Sequence, residues 1–172
     1  MGVMSFANNY YLKTIFFSLG ALSDLKSKFR HFQIVLFTFT QSNLMTSLIS
    51  EGIKVSVETY YQPDYSNPLQ SEFMFAYRIR IENHNSFPVK LHRRHWHIFD
   101  SNGSNREVEG EGVVGVQPTL NSGESYQYVS GCNLRTEMGR MHGTYEMENL
   151  HTKKLFEVSI PSFEMIVPFK SN

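Results

Sequence analysis

Cysteine occurs once, at Cys132. That excludes an intrachain disulfide and any CxxC metal or redox pair. It also fits a reducing compartment, so a cytoplasmic location is expected. An excess of charge of one sign is lacking too, because sixteen Lys and Arg balance sixteen Asp and Glu. No strongly basic surface is available to neutralise a phosphate backbone, and nucleic acid is not an expected partner. No apolar run approaches the ~20 residues that a membrane-spanning helix needs. Tandem repeats are absent. Aromatic residues, by contrast, are plentiful. With 14 Phe, 9 Tyr and a hydrophobic fraction of 41%, a chain of this size can build the core of one ordinary domain.

The composition changes near Met45. Residues 1–44 carry Lys13, Lys26, Lys28 and Arg30 against the single acid Asp24, whereas twelve basic residues face fifteen acidic ones from Met45 onward. The early stretch has apolar clusters without a sustained period. Three readings compete for it. A signal or transit peptide lacks its cleavage pattern and its arginines. A folded extension would place a helix over Lys26–Phe32. The favoured reading sets 1–44 outside the domain, either disordered or upstream of a true translation start at Met45, with the domain spanning 45–172.

After Met45 the period is two. Ile53, Val55, Val57, Thr59 and Tyr61 share one face, and Phe73, Phe75, Tyr77, Ile79 and Ile81 share another. "VKLHRRHWHIF" alternates again, and the Asn-Gly pair in "DSNGS" marks a hairpin turn. "SYQYVSG", "TYEME" and "LFEVSIPSFEMIV" supply further strands. Many short strands with turns between them and no helices predict an all-β, immunoglobulin- or fibronectin-III-like sandwich of about seven to nine antiparallel strands.

"REVEGEGVVGVQP" spells G-x-G-x-x-G at Gly110, Gly112 and Gly115. A dinucleotide fingerprint needs a buried apolar strand before it and a helix after it. Here a short charged segment precedes the glycines, and Pro118 blocks a following helix. The glycines are therefore expected to shape a turn or bulge. The alternative is a nest of backbone N–H groups holding a small anion or pyrophosphate, with Arg93, Arg94 or Arg106 as counter-charges.

"LHRRHWHIF" places His95 and His97 two residues apart on a strand, a spacing that can hold one divalent ion such as Zn or Cu, with His142 or Glu107 as further ligands. Two flanking cations oppose that reading, so no cofactor is expected there. Trp96 faces the opposite way and is expected in the core. No catalytic constellation emerges: "SGCNL" around Cys132 is not a nucleophile elbow.

"RRHWHIFD", "EVEGEGVVGVQPTL", "GESYQYVSG", "GRMHGTYEM" and "FEVSIPSFEMIVP" together resemble the ApaG family in order and spacing, from about Met45 to the C-terminus. The resemblance implies a fibronectin-III-like or immunoglobulin-like sandwich. It also implies a link to cobalt resistance and magnesium efflux, as in bacterial members often encoded beside a diadenosine tetraphosphatase. Protein binding is implied as well, as in related domains of F-box proteins and of a DNA-polymerase-interacting protein. A nucleotide or pyrophosphate site would fall on Gly110, Gly112 and Gly115. His97 departs from the family's more usual aliphatic residue, and Asn121-Ser122 stands where a proline often precedes the glycine. The function expected is a non-enzymatic module binding another protein, with a homodimer as a further option; the alternative is the anion binder.

Overall fold

The computed structural model describes residues 45–168, so the expectation for 1–44 lies outside the described residues. Nine strands follow one another: β1 (Thr46–Ser50), β2 (Ile53–Tyr61), β3 (Phe73–Asn83), β4 (Val89–Asp100), β5 (Asn105–Glu111), β6 (Thr119–Leu120), β7 (Ser125–Leu134), β8 (Met138–Asn149) and β9 (Leu155–Ile166). All pairings are antiparallel. One sheet runs β1-β2-β3-β7; the other runs β5-β4-β8-β9, with β6 also on β4. The result is the expected β-sandwich.

The alternation read from the sequence builds the core. Val55, Val57, Phe75, Ile79 and Ile81 of the first sheet meet Leu91, Met141, Tyr145, Met147, Val158 and Phe163 of the second, all buried. Trp96 is 2% exposed and lies edge-on to Tyr145 and Phe163, with Tyr77 beside it at 5.8 Å between ring centroids. Polar groups in this interior are satisfied. The Tyr128 and Tyr145 hydroxyls bond each other at 2.6 Å, and burial pushes both phenols up. The fully buried Asn83 donates its amide to the carbonyls of Phe87, Leu120 and Asn121. It thereby ties the β3–β4 corner to the turn after β6.

Two irregularities break the alternation. On β4 the register shifts between Leu91 and Arg93, so His92 is an extra residue opposite β8. The inward positions change there from Val89 and Leu91 to Trp96, Ile98 and Asp100. On β9 the inward set passes from Ile160 to Phe163 across Pro161 and Ser162. Proline is tolerated at that bulge on an end strand because no ladder N–H is required of it.

Candidate functional site

β5 and β6 lie consecutively along the same side of β4: β5 against Arg93–Phe99, β6 against Val89 and Lys90. The glycine loop is the excursion between them, and it crosses the His92 bulge. Both of its ends are fastened there, because the His92 carbonyl accepts Gly112 N–H at 2.8 Å and the Gln117 amide at 3.0 Å. Pro118 is buried, and its carbonyl takes Leu91 N–H at 3.0 Å. At the tip, Val113 and Val116 bond each other in both directions, at 2.7 and 3.0 Å. Val114 and Gly115 between them both have positive φ, 52° and 71°. That is the backbone of a two-residue hairpin turn of the primed kind.

The three glycines are not equivalent. Gly110 belongs to β5, and a Cβ there would approach the Arg94 guanidinium at 3.0 Å. Gly112 has φ 56°, and a Cβ would stand 2.2 Å from the Val116 carbonyl oxygen. Gly115 has open space around it but shares the left-handed backbone. Arg94 donates to the carbonyls of Glu111 and Gly112, at 3.1 and 2.8 Å. Its guanidinium thus caps the loop's acceptors rather than facing outward. Arg106 turns to the other sheet, donating to Cys132 Sγ and the Asn133 carbonyl. Burial raises the Cys132 thiol, with Arg106 opposing that shift.

Beside the loop lies a 440 Å³ depression whose lining includes His92, Arg93, Glu111, Glu146, Glu148 and Lys153. Its carboxylates outnumber its permanent cations. The His92 side chain Nε2 lies 2.8 Å from Glu148 Oε2, and Lys153 Nζ lies 3.3 Å from Glu148 Oε1. These contacts, the His92 hydrogen bond above all, lower the Glu148 carboxyl below its ordinary value. This cluster is not readable in the sequence, because only the bulge swings His92 toward β8.

The outward face of β4 carries Arg93, His95, His97 and Phe99. Pairing across β4 sets Glu107 of β5 and His142 of β8 on either side of His97, and Glu109 beside His95. His95 Nε2 lies 2.8 Å from Glu107 Oε2, and His97 Nδ1 lies 3.6 Å from Glu107 Oε1. The His142 ring stacks on His97 at 4.8 Å. Partial burial lowers the His142 value, helped by the charges of His97 and Arg140.

The ApaG domain family model matches residues 63–149. Protein ApaG of Brucella anthropi is 46% identical over 124 residues, covering 72% of this chain and 95% of that protein. Protein ApaG of Rhizobium meliloti is 44% identical with the same coverage. The crystal structure of the ApaA protein from Bordetella pertussis matches with TM-score 0.66 and 42% identity, covering 69% of this chain and 95% of that one. On these motifs, this sandwich and these relatives, the chain belongs to the ApaG family.

Proposed function

We propose that this domain is a non-catalytic interaction module acting in the cytoplasm, and that its partner is another protein. The observation that carries the reading is β1. It ends its sheet, its sequence TSLIS holds no charge, and Ile49 is 60% exposed. Natural end strands are usually blunted by charge, proline or a bulge, because their free N–H and C=O groups template another strand. An uncharged one suits strand addition by a partner. β9, the end strand of the other sheet, adjoins β1 and adds exposed Leu155 and Ile166. The cobalt and magnesium link of the family would then act through that partner.

The anion-binding reading has less support. The Val113 and Val116 N–H groups are used within the loop, Gly112 N–H is taken by the His92 carbonyl of β4, and Arg94 is spent on loop carbonyls. Capture from the native cell tests both readings. Wild type should retain a protein that Ile49→Asp/Leu155→Asp loses at unchanged melting temperature, while ATP and pyrophosphate leave that temperature unmoved. Self-association through the same edge would appear as a concentration-dependent mass that the double variant abolishes. Capture indifferent to the double substitution sinks the edge assignment, and a saturable shift with ATP restores the anion reading.

A further inference from the structure

We infer that the outward face of β4 and β5 is a binding site for a late first-row divalent ion such as Zn²⁺, Ni²⁺ or Cu²⁺, with His95, His97 and Glu107 as its ligands. One ligand atom from each of the three lies within 4.8 Å of the others. Donor atoms around an ion with bonds of about 2.0–2.2 Å stand about 3–3.6 Å apart. His97 Nδ1 lies 3.6 Å from Glu107 Oε1 and His95 Nε2 lies 2.8 Å from Glu107 Oε2, so the carboxylate already stands against both rings; the widest donor pair, at up to 4.8 Å, closes by side-chain rotation. The backbone holds this arrangement. His95 and His97 are two apart on one strand, and Glu107 is the residue directly opposite His97 on the next. Two imidazoles and one carboxylate suit these metals, and three protein ligands leave a position for water.

In the fold both arginines that precede His95 have partners of their own. Of the two arginines before His95, Arg94 points to the other face and is held by the Glu111 and Gly112 carbonyls. Arg93 shares the face but lies 3.8 Å from Glu109 Oε2. Glu109 also reaches to 3.7 Å from His95 Nε2 and adds a second negative charge. Arg140 remains as a cation on this face, with its guanidinium over the Phe99 ring. His142 is not a ligand. Its ring stacks on His97 at an interplanar angle of 18° and acts as a positioning residue, fixing the His97 ring beside a 220 Å³ depression that both line.

The test is calorimetric titration of the full chain, carrying no histidine tag, with Zn²⁺, Ni²⁺, Cu²⁺ and, as control, Mg²⁺. One equivalent of Zn²⁺ should bind, Cu²⁺ should bind more tightly, and Mg²⁺, which prefers oxygen ligands, should give no heat. His95→Ala and His97→Gln should each abolish saturable binding. His142→Ala should weaken it by roughly tenfold, in the range found for outer-shell partners. His92→Ala should change nothing, because that ring is engaged with Glu148. Unfolding curves of each variant verify that the fold is intact. No saturable Zn²⁺ or Cu²⁺ binding by wild type overturns the site, and so does binding that persists when His95 and His97 are both replaced. An unchanged affinity in His142→Ala overturns its positioning role.

Discussion

At Gly112 two separate penalties coincide. The left-handed backbone disfavours any Cβ, and here that Cβ would also strike the Val116 carbonyl at 2.2 Å. At Gly115 only the first penalty applies. Gly115→Ala should therefore cost about 1–2 kcal/mol, the usual charge for the left-handed region, and Gly112→Ala clearly more. Denaturant unfolding of both variants checks the order. Equal losses would mean that the loop relaxes away from the clash, and a fully stable Gly112→Ala would remove the structural role altogether. Val114 makes the same point from the other side. It is β-branched at φ 52°, an unfavourable place for such a residue, and its side chain packs against the core in compensation. Arg94 stabilises the arrangement by supplying donors to two loop carbonyls, where the sequence offered it as a counter-charge for a bound anion. No feature of "HRRHW" points to main-chain oxygens seventeen and eighteen residues further on.

On the scale of elements, the period of two is legible wherever a strand has one buried and one wet face. β2, β3 and the second half of β4 follow it as read, and Trp96 is inward as expected. β1 escaped because neither of its faces is buried, and β6 because two residues carry no period. The His92 bulge escaped for a different reason: an extra residue is defined only against the partner strand. From alternation alone, His92 shares a face with Trp96; in the fold it swings toward β8 instead and meets Glu148. That contact has a pH signature. The folded Glu148 carboxyl lies below its ordinary value of 4.5. Its contribution to stability is therefore complete above that value and is lost as pH falls through the lower, folded one. A carbonyl-carbon NMR titration should find Glu148 below the ordinary glutamate range in wild type and displaced upward in His92→Ala. A wild-type Glu148 that titrates at the ordinary value, or that ignores the substitution, would show that the bulge does not hold the pair together.

For the whole molecule, contacts join the two sheets at both sides. β1 lies against β9, and β5 is tied to β7 by the Arg106 contacts with Cys132 and Asn133. The buried cluster described runs from Ile53 to Met165 and takes side chains from both sheets. No buried side-chain nitrogen or oxygen among the described residues lacks a hydrogen-bond partner. A domain with a two-layer core and satisfied polar groups has what independent folding requires. In the sequence, composition and charge change at Met45. We therefore expect residues 45–172 alone to unfold in one cooperative step, at the midpoint of the full chain. Thermal and denaturant unfolding of both, followed by the fluorescence of the single tryptophan, Trp96, decides it. Trp96 sits between the sheets, so loosening of either sheet exposes it and shifts its emission to the red. A lower midpoint or a broadened transition in the shorter chain would show that residues 1–44 contribute to the stability of the sandwich. Native emission already red-shifted in that chain would show that its core does not close without them.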